Sequence, residues 1–169
     1  VPAIYNVAKM YQRGLLGEEN IPKAQEYYAE ALKGFLYLES SAGKMKPYIW
    51  YNLGKLYNLG YGTQQNYTEA FKWFQKAALA GNSYAQYSLG GLYYFGNGVE
   101  QDRSQAFAWY KKSADQHNAY ACYETAKMLQ DGVGTEKNSA ESERYFREAY
   151  KGFQTMKSVL ADDMQLYRL

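Results

Sequence analysis

The chain has 169 residues, a formal net charge of +2, 20 tyrosines, one histidine and one cysteine. A nearly balanced charge gives no general case for direct nucleic-acid binding or for an anionic membrane surface, and no apolar run approaches the ~20 residues of a membrane span. His117 and Cys122 stand alone, so an internal disulfide, a Cys/His zinc site and a catalytic triad cannot be assembled, and neither cofactor nor metal is expected. The lone thiol fits a reducing compartment, with the cytoplasm favoured.

In chain order, the first repeat covers residues 2–35. Tyr5, Tyr11, Gly14 and Ala24 align at a shift of 46 with Tyr51, Tyr57, Gly60 and Ala70. An extended second helix or linker follows over 36–47. The second, third and fourth repeats, 48–83, 84–119 and 120–153, recur at a spacing of 36. Tyr48, Tyr84 and Tyr120 are in register, as are Gly60, Gly96 and Gly132, and Trp73, Trp109 and Tyr145. A second extension covers 154–165. Gly14–Asn20 and Ala31–Phe35 align at a shift of 118 with Gly132–Asn138 and Ala149–Phe153, so the outer repeats share a long form and the inner two are short. Val1 replaces an initiator Met, and Tyr167-Arg168-Leu169 is similar to Tyr51-Asn52-Leu53. The expectation is one solenoid cut from a longer protein. Self-similarity at this period marks a stacked helical array.

The third repeat shows the physics of the unit. Ala85, Leu89, Leu92 and Tyr93 fall at helical spacing from Tyr84 to Phe95. Gly96 is placed to end that helix in a left-handed residue, and Gly98 allows a further turn. Asp102 with Gln105 forms a capping box that opens a second helix, repeated as Asn66 with Glu69 and Asn138 with Glu141; Lys23 after Asn20 departs from it. Ala8, Gly54, Gly90 and Ala126 share a first-helix position, and Ala24, Ala70, Ala106 and Ser142 a second-helix position. Small side chains at both let paired helices approach closely. A helical Gly costs about 1 kcal/mol relative to Ala, so Gly54 and Gly90 imply packing that has no room for a methyl.

Residues 85–114 run Ala-Gln-Tyr-x-Leu-Gly-x-Leu-Tyr-x-x-Gly-x-Gly-Val-x-x-Asp-x-x-x-Ala-x-x-Trp-Tyr-x-Lys-x-Ala. This pattern resembles the Sel-one-like repeat (SLR) family, a relative of the tetratricopeptide repeats, and the resemblance covers nearly all the chain. It implies an all-α fold, a right-handed superhelix of four antiparallel helix pairs, and a non-catalytic adaptor role. Some cysteine-rich secreted relatives are associated with penicillin binding through repeats with paired cysteines, a pairing this chain lacks. The segment Asp162-Asp163-x-x-x-Tyr167-Arg168 resembles repeat arrays that trail bacterial mobilisation relaxases, which implies an accessory role as one alternative. Polysaccharide or cell-wall binding by aromatic stacking is another.

In the tetratricopeptide arrangement the first helix lines the concave face. That places Tyr48, Tyr51, Lys55 and Asn58 toward a ligand in the second repeat. The third repeat contributes Tyr84, Tyr87, Gly91 and Tyr94, and the fourth Tyr120, Tyr123, Lys127 and Gln130. Tyrosine combines a broad apolar face with a polar tip. The expected groove is aromatic with a basic flank, suited to an extended peptide with apolar and acidic side chains. The competing expectation is that these rings seal the joints between repeats. His117, standing where an earlier repeat has Gly81, reads as an exposed turn residue, and Cys122 as a small packing residue. The repeated G-x-G follows a helix and lacks the strand of a dinucleotide site.

Overall fold

The structure, a computed structural model, describes residues 1–40 and 43–166. Eight α-helices and one short 3₁₀ turn, Gly43–Met45, make up the regular structure of these residues: α1 (Pro2–Gln12), α2 (Ile21–Glu39), α3 (Lys46–Leu59), α4 (Tyr67–Leu79), α5 (Ser83–Phe95), α6 (Arg103–Ala114), α7 (Ala119–Asp131) and α8 (Ser139–Leu166). Each odd helix packs on the even helix after it, and each even helix packs on the next odd one. The result is an α-solenoid of helix pairs. α3 also touches α5 directly, so the first helices form an adjacent row along one side. The resemblance between Tyr167–Leu169 and a repeat start lies outside the described residues.

The boundaries follow the local chemistry. Gly60, Gly96 and Gly132 end α3, α5 and α7 in the left-handed conformation, with φ of 66°, 72° and 72°. Asn66 accepts from the Glu69 N–H, Asp102 from Ser104 and Gln105, Asn138 from Glu141 and Asn20 from Lys23. The cap's own N–H, which the box would satisfy with a Glu or Gln, is already taken by the preceding helix. Asn20, Asn66, Asp102 and Asn138 donate to the carbonyls of Tyr11, Tyr57, Tyr93 and Leu129 at 2.9–3.0 Å. Lys23 in place of Glu therefore costs the first repeat nothing at this point. Asn82 and Asn118 cap α5 and α7 in the same way.

The small residues sit where the pairs cross. Ala8, Ala24, Ala70, Ala106 and Ala126 are buried, and the Ser142 hydroxyl turns its extra polarity onto the Ala126 carbonyl at 2.8 Å. A methyl on Gly54 would lie 2.5 Å from the Phe74 ring, and one on Gly90 2.7 Å from the Tyr110 ring. The second glycine of the inter-helix turn locks successive repeats together. Gly98, at φ 71°, is pressed against the backbone of Tyr67 and Thr68 at the start of α4, and Gly134 against Arg103 and Ser104 in the same way. The long form of the outer repeats is visible as α2 with 19 residues and α8 with 28, against 13 and 12 in α4 and α6.

Candidate binding face

The tyrosine rows lie on α3, α5 and α7 and interlock across the joints. The Tyr84 ring rests on Tyr51 of the preceding repeat at a centroid distance of 5.9 Å, and Tyr120 rests on Tyr87 at 6.0 Å. Tyr51 and Tyr87 lean in turn on the second helices, through Phe74 and Tyr110. Tyr48 packs edge-on to Phe35, Tyr120 to Phe153 and Tyr123 to Phe146. The rings of these rows differ in how much of each is covered. Tyr51 and Tyr87 are half-buried joint fillers. Tyr48, Tyr84, Tyr120 and Tyr123 keep 41%, 52%, 48% and 42% of their surface in solvent.

Burial sets the chemistry of the inner row. It pushes the Tyr51 hydroxyl up to about 12, with the nearby Tyr5 and Tyr84 adding to the effect. Tyr87 is raised by burial and then by the Glu124 carboxylate and Tyr120. These phenols stay protonated at neutral pH and remain hydrogen-bond donors. The Lys55 ammonium lies over the rings of Tyr5 and Tyr51 at 5.3 and 5.5 Å, and burial lowers its pKa. Lys127 lies over Tyr123 at 5.5 Å and pairs with Glu124 at 3.6 Å, so its charge is already matched.

Gly91 occupies the position held by Lys55 and Lys127 in the adjacent repeats. Its missing side chain opens a groove of about 270 Å³ lined by Asn58, Tyr67, Tyr87, Ser88, Gly91 and Tyr110, among others. Three expected ligand-facing residues, Asn58, Tyr87 and Gly91, meet here. Tyr94 does not line this groove: its ring packs on Phe95 at 5.0 Å with the Arg103 guanidinium over it at 5.6 Å.

Sequence reasoning passed over Lys9 and Gln12 on α1. The shift of 46 that aligns Tyr5 with Tyr51 also places Lys9 at Lys55 and Gln12 at Asn58, so the signal was present. Lys111, which reads as an ordinary surface position, proves to be a fastener. Its ammonium donates to Glu141 at 3.0 Å and to the Tyr145 hydroxyl at 2.8 Å, and Tyr145 donates to Asp115 at 2.8 Å, tying α6 to α8. Cys122 is fully buried, and burial, then Glu148 and Asp115, push its thiol up to about 11. That is the opposite of an activated nucleophile. His117 is exposed at φ 62°, a glycine-like turn conformation matching that of Gly81. Among the described residues there is no group of three or more His, Cys, Asp or Glu placed to hold a metal ion. No helix among them is long and apolar enough to cross a membrane.

A family model, the Sel1 repeat, matches residues 1–42, 51–82, 83–118 and 119–152. Among solved structures, a protective antigen present in uropathogenic Escherichia coli strains and displaying an SLR fold is similar, with 31% identity and a TM-score of 0.65 over 89% of this chain and 30% of that one. A Sel1 repeat protein from Oxalobacter formigenes is similar at 25% identity and a TM-score of 0.65, over 90% of this chain and 58% of that one. The chain therefore spans less than two thirds of the length of either relative. Helicobacter pylori cysteine-rich protein B, at 20% identity and a TM-score of 0.53 over 79% of this chain and 89% of that one, shares the fold. No curated protein matches the chain.

Proposed function

The chain belongs to the Sel1 repeat family, whose members generally mediate protein interactions as non-catalytic scaffolds, and from that premise we propose that it holds an extended peptide or a protein surface along the first-helix face. The observation that carries this reading is the exposed half of the tyrosine row beside the groove opened at Gly91. Rings anchored from behind by Tyr51 and Tyr87 lose little side-chain freedom on binding, which lowers the cost of association. Burying the exposed remainder of one such ring contributes on the order of 1–3 kcal/mol. Two or three together support binding near micromolar strength after association costs. The groove adds donors and acceptors from Asn58, Ser88 and the Tyr67, Tyr87 and Tyr110 hydroxyls, enough to orient a backbone.

The test is a peptide-display selection against the chain, followed by affinity measurements on variants. Tyr84→Ala with Tyr120→Ala removes the row. Gly91→Lys fills the groove with the residue type its neighbours carry and leaves the core untouched, because a Cβ there meets only the Tyr110 hydroxyl at 3.5 Å. Both are expected to weaken the selected peptides at least tenfold, the second without lowering its thermal transition, since replacing a helical glycine here is at worst neutral. Binding that survives the tyrosine changes while thermal stability collapses would make the row purely structural.

A further inference from the structure

At the joint between α1 and α3 lies a second pocket, of about 180 Å³, whose lining includes Lys9, Gln12, Arg13, Tyr28, Lys55 and Tyr61. Three cations line it, and no carboxylate does. Lys9, Arg13 and Lys55 form no ion pair among the described residues, so no carboxylate of the chain already neutralises the pocket. The wall is rigid and its polarity is one-sided. Tyr28 stacks on Tyr61 at 4.6 Å and meets Tyr5 edge-on at 5.4 Å. The Tyr28 hydroxyl donates to the Gln12 Oε1 at 2.7 Å, and the Gln12 Nε2 donates to the Tyr61 hydroxyl at 2.8 Å. Tyr61 thus accepts and keeps its own proton for a ligand. The pocket therefore offers donors and positive charge. The position of Lys9 and Arg13 at the carboxyl end of α1 offsets that helix's dipole, but Lys55 sits inside α3 and has no such duty. The three cations also disfavour one another: Lys9 is lowered by burial and by Arg13 and Lys55, and Lys55 is lowered by burial and by Arg13 against a larger opposing effect of Tyr61. An anion relieves that repulsion: Lys55 and Lys9 are partly buried and Arg13 stands exposed at the rim, where an incoming charge can reach all three.

We propose that this pocket binds a carboxylate of the partner peptide, from an acidic side chain or from the chain terminus. The proposal rests on the first-helix reading above and fixes the charge of the ligand at the α1 end of the face. Small probes test the pocket without the groove. Amide resonances of the isotope-labelled chain are followed while titrating acetyl-leucyl-glutamate amide, acetyl-leucyl-leucine with a free carboxylate, and the neutral acetyl-leucyl-glutamine amide. Saturable shifts at Lys9, Gln12, Arg13 and Tyr61 are expected with one or both acids and not with the neutral peptide; the acid that saturates at lower concentration identifies the source. Lys9→Gln with Arg13→Gln should weaken the acid at least about tenfold, and Lys9→Arg should retain it, which separates lost charge from a damaged fold. Equal shifts from acid and amide would overturn the proposal. So would acid binding indifferent to the Gln changes, or inorganic phosphate saturating below both acids. The two readings fail separately. Selected peptides lost on Gly91→Lys but indifferent to Arg13→Gln sink only the pocket; acid shifts at the pocket, with selected peptides indifferent to Gly91→Lys, sink only the groove.

Discussion

Gly90 and Gly91 are adjacent in α5, and the packing assigns their replacement by alanine opposite signs. A Cβ at Gly90 would stand 2.7, 2.9 and 3.0 Å from the Cδ1, Cε1 and Cγ atoms of Tyr110, a ring that is itself buried and would have to shift. A Cβ at Gly91 meets only the Tyr110 hydroxyl, at 3.5 Å. Both variants gain up to about 1 kcal/mol from replacing a helical glycine. At Gly91 that gain stands almost undiminished. At Gly90 it is opposed by an overpacking cost of about 1–3 kcal/mol, which leaves the variant between neutral and about 2 kcal/mol less stable. The two midpoints should differ by about 1–3 kcal/mol. At roughly 2–4 °C per kcal/mol for a chain of this size, thermal melts of the two variants resolve it easily. A Gly90→Ala midpoint equal to or above that of Gly91→Ala would refute the claim that the helix pairs are held at a ring-on-glycine contact.

Gly98→Ala should cost well over 2 kcal/mol, because the turn needs φ 71° and a Cβ would run into the Tyr67–Thr68 backbone; Gly81→Ala, at φ 88° with nothing within 4 Å, should cost only about 1 kcal/mol, and denaturant midpoints compare the two. Stability should be flat near neutrality and fall as pH rises from 10 toward 12. Burial holds Tyr5 and Tyr51 protonated up to about 12 in the fold, against 10.0 without it, so the unfolded chain releases these protons first; urea midpoints against pH, with tyrosinate absorbance, check the sign. Cys122 should resist alkylation at pH 8 in the native protein and react at once in denaturant, a contrast that thiol labelling reads directly.

Much of the fold was legible because each repeat carries its own punctuation. Gly96 as the stop, Asp102 as the cap and the paired small residues Gly90 and Ala106 are local signals, and three further copies corroborate them. The face was legible only as a register: Tyr48, Tyr84 and Tyr120 could be placed in a row, but not divided between filler and surface. That division depends on contacts made across the joint, where Tyr84 leans on Tyr51 of another repeat, and a position within one repeat says nothing about them. The groove at Gly91 was hard to see for a different reason, since it arises from a side chain that is missing. The pocket at Lys9 and Lys55 needed Tyr61, a turn residue outside any helical period, to be carried over by the left-handed step at Gly60.

The most direct test of the account is to map a display-selected peptide onto the chain by amide chemical-shift perturbation. The expected shifts centre on the first helices and their turns, along Lys9, Tyr48, Tyr84, Gly91 and Tyr120, and reach the second helices only at Tyr67 and Tyr110, where they line the groove. Shifts concentrated on the opposite side, along α4 and α6 around Trp73 and Trp109, would contradict the account.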